Sequence, residues 1–281
     1  MRFFIKLTAV AMSAAIVFGC GATLNASETR YNIDEYFTDP AFNSYVRQYD
    51  SNKDGYLTDS EMSGMVQLVE YDGIEKHLVI TGATIKNLDG IEILPAVDDL
   101  SILGISAGKI DLTCVKAKQV IIYKCESLKT FVCGDYQDNV YISACPNLKK
   151  TFFNYAKNLE ILGFDHCPLL EGSLSLENAP KLKDLAINRT GFKNIYCSDS
   201  APIERLWIMQ TPLRNLEILG ATTKINIQIK TNKTLANIFT SGELARLLWE
   251  GGLFVNDYIN YRVWNSNHSG YETFISIDNR G

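Results

Sequence analysis

Three stretches decide the fold: Val120-Ile121-Ile122-Tyr123-Lys124-Cys125-Glu126-Ser127-Leu128, then Val140-Tyr141-Ile142-Ser143-Ala144-Cys145-Pro146-Asn147-Leu148, then Leu162-Gly163-Phe164-Asp165-His166-Cys167-Pro168-Leu169-Leu170. Each has two aliphatic or aromatic residues flanking a single residue, a cysteine three residues later, and a leucine three residues after that. Working outward, the same pair recurs as Leu78/Ile80, Leu100/Ile102, Leu185/Ile187, Leu206/Ile208 and Ile225/Ile227. The second members of the eight pairs lie 22, 20, 20, 22, 23, 21 and 19 residues apart, so seven intervals average 21.

A period in the twenties with short apolar-x-apolar strands reads as a leucine-rich repeat solenoid, because one such unit is too small to bury its own apolar face and must stack on neighbours. The expected class is therefore α/β, with a parallel sheet built from about eight repeats over residues 74–232. A right-handed parallel β-helix would share the spacing. In the eighth coil, Lys230 is expected at the small buried position and Asn226 between the inward pair.

The chain has a mild excess of acid, 27 Lys and Arg against 32 Asp and Glu. That balance argues against a nucleic-acid surface. Arg2 and Lys6 followed by an uncharged apolar run to Gly19 read as a signal peptide over residues 1–22, too short for a comfortable membrane span. Val17-Phe18-Gly19-Cys20 is close to a lipobox, so lipidation of Cys20 is the one route to a membrane that the sequence offers. Seven cysteines in an exported chain invite disulfides. Against that, Cys125, Cys145 and Cys167 share one position in successive coils, as buried thiols do. Cys114 with Cys133 stays open as an oxidised pair, and a zinc site is disfavoured because no C-x-x-C occurs.

Residues 23–38 read as a linker. Asp39-Pro40 then starts a helix, an acceptor at the cap followed by proline at the first helical position, with Phe42, Tyr45, Val46 and Tyr49 on one face. Next comes Asp50-Ser51-Asn52-Lys53-Asp54-Gly55-Tyr56-Leu57-Thr58-Asp59-Ser60-Glu61, and a second helix with apolar Met62, Met65, Val66 and Leu68. The twelve-residue stretch fits an EF-hand calcium loop: oxygen donors Asp50, Asn52, Asp54, the carbonyl of Tyr56, Thr58 and Glu61, around Gly55 at the sharp turn. Calcium is a hard cation that takes six to eight oxygens, and the three carboxylates balance its charge. No second loop and no partner strand for Leu57 are evident, so weak binding is expected, on the order of 10⁻⁴ to 10⁻³ M. Such a site is a structural clamp on a cap spanning residues 39–73.

The order helix, loop, helix, then Ile85-x-x-Leu88-Asp89-Gly90-Ile91-Glu92-x-Leu94 running into Leu100-Ser101-Ile102, resembles bacterial cell-surface leucine-rich repeat proteins with a single N-terminal EF-hand and internalin-like repeats. The resemblance spans about residues 35 to 230 and implies calcium at the loop and protein or ligand binding on the solenoid. It departs where cysteine or threonine replaces the usual asparagine after the strand. Residues 233–281 read as a C-terminal cap: a helix from Glu243 to Trp249, then strands Tyr258 to Trp264 and Tyr271 to Ile277.

Residues between and beside the inward pairs face outward on the strand-lined side. Ile121, Tyr123, Tyr141, Trp207 and Met209 make that face more apolar than water requires, and Gly163 with Ala186 is expected to leave a trough between Tyr141 and Trp207. No H-E-x-x-H, G-x-S-x-G, P-loop or dinucleotide fingerprint occurs, and no histidine lies near a nucleophile in sequence. The expectation is a non-enzymatic, exported calcium-binding protein for protein recognition or adhesion at the cell surface. A carbohydrate-binding accessory protein using Tyr141 and Trp207 is the alternative, and a surface-layer component a third.

Overall fold

The computed structural model describes residues 29–70, 74–222, 225–230, 232, 234–241, 244, 262–264 and 271–273. The leader with Cys20 and most of the expected C-terminal cap, including the Glu243 to Trp249 helix apart from a buried Leu244, lie outside the described residues.

Strands pair in sequence order to form a parallel stack of about eight turns. On the first face run Ile74–Thr81, Val97–Leu103, Ala117–Tyr123, Asn139–Ser143, the opening halves of Ile161–Leu176 and Asp184–Cys197, then Arg205–Met209 and Asn226–Lys230. The register aligns Leu78, Leu100, Val120, Val140, Leu162, Leu185, Leu206 and Ile227 in one column, with Ile80, Ile102, Ile122, Ile142, Phe164, Ile187, Ile208 and Ile229 in the next. Every one of these side chains is buried. The eighth inward pair is thus Ile227/Ile229, two residues later than expected, and Gln228 stands between its members. Asn226 lies immediately before the pair, and Lys230 is exposed opposite Met209.

After six of these eight strand segments the chain turns through one left-handed residue: Gly104, Lys124, Ala144, His166, Arg189 and Gln210, with φ between 49° and 63°. Five of the six carry a Cβ that disfavours this conformation. It persists because sheet pairing on one side and a buried anchor on the other fix the backbone between them. The anchors are the next residues, Ile105, Cys125, Cys145, Cys167, Thr190 and Thr211, all buried. Asn232 ends this column and is also buried, so a polar side chain fills the place expected for Lys230.

The chain returns through a second set of strands rather than through helices. Lys109–Asp111, Thr130–Val132 and Lys150–Phe152 form one parallel sheet. The later halves of Ile161–Leu176 and Asp184–Cys197 continue the second face with Asn215–Ile218, Asn237–Thr240 and Arg262–Trp264. Tyr271–Thr273 pairs antiparallel with Arg262–Trp264, the described part of the expected hairpin. Among the described residues of the stack the one helical turn is the 3-10 segment Ile91–Ile93, so the fold is mostly β rather than α/β.

Six cysteines among the described residues are free. Cys125, Cys145 and Cys167 are buried as the spacing predicts. Cys133 is buried while Cys114 is exposed, and the two are not joined. Burial pushes the Cys133 thiol up to about 12, which keeps it protonated and inert.

Candidate metal loop and recognition face

Of the residues read as a linker, 23–28 lie outside the described residues, and 29–38 carry regular structure packed on the segment that follows. Strand β1 (Arg30–Asn32) leads into helix α1 (Ile33–Tyr36), and Ile33 and Phe37 are buried. Helix α2 (Pro40–Val46) starts where expected. Asp39 Oδ1 accepts from the N–H groups of Ala41 and Phe42, both at 2.9 Å. Its other oxygen does a second task, accepting from Lys86 N at 2.9 Å and Asn87 N at 3.3 Å in the first coil of the stack. Burial would raise this carboxyl, but the four N–H donors outweigh it and hold it below the usual range. Tyr45 Oη donates to Val79 O at 2.7 Å, and Thr38 Oγ1 to Asp89 Oδ2 at 2.7 Å. Gly90, at φ 92°, lets Phe37 approach so closely that a Cβ there would stand 2.8 Å from its ring. The cap is therefore docked on the stack by a few specific contacts.

A 3-10 turn, Arg47–Tyr49, carries α2 into the loop. Asp50 accepts from Asp54 N at 3.2 Å and Gly55 N at 3.0 Å. Asn52 Oδ1 shares the Asp54 N–H at 2.9 Å, and Asp54 Oδ1 accepts from Tyr56 N at 2.9 Å. Gly55 has φ 82° with open space where a Cβ would be, so the turn needs glycine for conformation rather than for room. Strand β2 (Tyr56–Thr58) closes the loop, and helix α3 (Asp59–Ser63) leaves it. Thr58 and Glu61 form a capping box. Glu61 Oε2 accepts from Thr58 N and Oγ1, both at 3.1 Å, while Oε1 accepts from Ser51 N at 2.9 Å and Ser51 Oγ at 2.8 Å. Burial would raise Glu61, but these bonds prevail and lower it.

Asp50, Asn52, Asp54, Tyr56, Thr58 and Glu61 are thus held in one loop whose donors are all oxygen, the chemistry a hard cation takes. Asp50 and Asn52 converge on one amide. Glu61 straddles the loop mouth with all four lone-pair directions in use, so a metal would have to exchange for some of its hydrogen bonds. Among the described residues no three of His, Cys, Asp and Glu are gathered to hold a metal. The donor set fits the ion; the carboxylates are not drawn together around a common point.

Two expectations change here. The second helix is five residues long, with Met62 and Met65 buried, Val66 half-buried, and Leu68 on strand β3 (Gln67–Glu70) at 69% exposure. β3 pairs antiparallel with the stack's first strand, β4 (Ile74–Thr81), and covers part of its edge. Leu57 also has a partner strand: β1 runs antiparallel to β2 with Tyr31 opposite Leu57, which is fully buried. Of the two grounds for weak binding, the missing strand partner falls away and the missing second loop stays.

On the first face, Ile121 and Tyr141 are neighbours in one column that continues through Gly163 and Ala186 to Trp207. Tyr123 and Met209 belong to the adjacent column, with Ser143, Asp165 and Asn188 between them. Trp207 is 41% exposed. The expected trough is half filled, because the Tyr141 ring leans across the next coil and covers Gly163. A Cβ at Gly163 would stand 2.4 Å from Tyr141 Cδ2. Burial, and then the Asp165 charge, raise the Tyr141 hydroxyl above its ordinary value.

Sequence order hid one further cluster. His77 Nε2 lies 3.1 Å from Ser101 Oγ in the next coil, and Asp99 is the strand partner of His77. Burial, then the charge of Glu75, raise Asp99. The signal was the repeat itself, since His77 and Asp99 stand one period of 22 apart. Ser101 sits mid-strand between two paired neighbours, so the surrounding amides are engaged in the sheet and none is spare to receive an oxyanion. On the second face a cleft of about 280 Å³ opens between Phe152 and Glu171, where the two return sheets fail to join. No protein-family model matches the chain, and no curated protein matches it.

Proposed function

We propose that this chain is an exported calcium-binding leucine-rich repeat scaffold, in which an EF-hand-type cap is clamped to the first coil and the outward face of the first sheet recognises a protein partner at the bacterial cell surface. The observation that carries the reading is the loop from Asp50 to Glu61. Its oxygen donors, its glycine turn and its capping box sit between two helices, and the same cap is hydrogen-bonded to the stack through Asp39 and Tyr45. Asp50, Asn52, Asp54, the Tyr56 carbonyl, Thr58 and Glu61 would hold Ca²⁺, which would supply a fixed positive centre that cross-links the loop. Support for leucine-rich repeats is the period near 21 and the aligned apolar columns; return strands in place of helices favour a slender variant of that plan. The role is non-enzymatic, and membrane attachment would run through Cys20.

Calorimetric titration of calcium into the full chain, beside Glu61→Gln, tests this. Heat and a raised melting temperature in the wild type, both reduced in Glu61→Gln, are expected. No heat at millimolar calcium would remove the metal from the account. One observation favours carbohydrate as a second reading: the Tyr141 ring laid over Gly163 presents an aromatic surface within reach of the Asp165 charge, which suits stacking with hydroxyl recognition. Tyr141→Ala separates the two, since loss of glycan binding with protein binding intact assigns the platform to sugar.

A further inference from the structure

The strand that completes the loop also brings a cation to it. Arg30, the first residue of β1, pairs through Nη2 with Asp54 Oδ2, and its guanidinium lies 4.5 Å from the centre of the Tyr56 ring. Asp54 and Tyr56 are the fifth and seventh positions of the loop. Backbone fixes this placement: Arg30 opposes Thr58, Asn32 opposes Tyr56, and Ile33 N–H donates to Gly55 O at 3.0 Å. Buried Ile33 and Leu57 hold the two segments in register. The fold therefore places the Arg30 side chain beside the loop, where its guanidinium pairs with Asp54.

We infer that Arg30 is an intramolecular competitor for the metal: it neutralises Asp54 in the metal-free loop and gives that carboxylate up when calcium binds, so it sets the affinity below what the donors alone would give. The inference rests on the calcium reading above. Its physical basis is charge. Of the loop's three carboxylates, Asp54 is the one paired with the guanidinium, and a divalent ion entering beside that guanidinium meets like charge. The ion pair is partly solvated, with side chains 50% and 34% exposed, so its weight is that of a surface pair and the expected effect is about two- to fivefold in Kd.

The test is calorimetric titration of calcium into the full chain as wild type, Arg30→Met, Arg30→Lys and Glu61→Gln, at low and at high salt. Arg30→Met keeps an unbranched apolar side chain and removes the charge together with the guanidinium over Tyr56, and metal-free melting confirms that the cap still folds. Arg30→Met is expected to bind calcium about two- to fivefold more tightly than wild type at low salt, with the gain shrinking at high salt. Arg30→Lys should stay near wild type. Equal or weaker binding by a well-folded Arg30→Met, with wild type still binding, overturns the competitor role alone. Absence of binding in wild type and all variants overturns the calcium reading and this inference with it.

Discussion

In the stack, Leu162 meets its register partners Val140 and Leu185, 22 residues before and 23 after; in the cap, Asp39 reaches Lys86, 47 residues away. The first kind of contact is repeated in every coil, and each coil reinforces the next. The second kind occurs once. A stack gains stability as a sum of nearest-neighbour interfaces, while a docked cap depends on a few bonds that have no copies. The cap is thus expected to open more easily than the central coils, and a ligand's binding free energy to change its population of open states more.

The comparison predicts a gradient of effects. Phe164→Ala should be the most damaging, because Phe164 is buried and packs edge-on against Phe153 and Phe192; about 3–5 kcal/mol is expected in urea unfolding. A loss below about 1 kcal/mol would show that the coils are not coupled through this aromatic column. Asp39→Ala comes next. It strips a helix cap and leaves the Lys86 and Asn87 N–H groups without their acceptor, a cost of about 2 kcal/mol. Proteolysis should then cut the cap first while the stack survives.

Acid should probe the same joint more gently. Glu61 and Asp39 titrate below their ordinary values of 4.5 and 3.8, so their contribution is present above those values and fades as pH falls through the lower folded ones. Asp99 is raised and acts with the opposite sign, its contribution present in acid and lost as pH rises. Cap amides should exchange faster at pH 3 than the pH dependence of intrinsic exchange explains, with amides in the central coils unchanged relative to that baseline. Gly163→Ala should have the smallest effect on stability, within about 0.5 kcal/mol, because the clashing atoms belong to a ring that can rotate away. Nitration of Tyr141 should rise as the ring is lifted, and unchanged nitration would contradict the placement of the ring over Gly163.

How far the sequence discloses this molecule follows from the same contrast. Seven inward pairs are legible because each obeys both an alternation of two and a period near 21. The eighth is misplaced because Ile225, Ile227 and Ile229 alternate and all three are buried, so alternation alone sets no register; counting 21 from Ile208 reaches Ile229. Return strands such as Lys109–Asp111 are three residues long and too short to show a period. Asp39 is recognisable as a cap, yet nothing local reveals that its second oxygen binds Lys86 and Asn87. The turn and capping residues of the loop, Gly55, Thr58 and Glu61, are readable from spacing, but β1, a three-residue strand with no apolar alternation, is not, and neither is Arg30 beside Asp54. Tyr141 lies where the pattern puts it; its lean over Gly163 is a rotamer, which sequence periodicity does not encode.

Hydrogen exchange followed residue by residue, with and without calcium, tests the central claim most directly. A calcium-clamped cap predicts added protection in residues 29–70 and at Val79 and Lys86–Asn87, where the cap is docked, with no change from Ala117 to Met209. Protection spread evenly along the stack, or none at millimolar calcium, would contradict it.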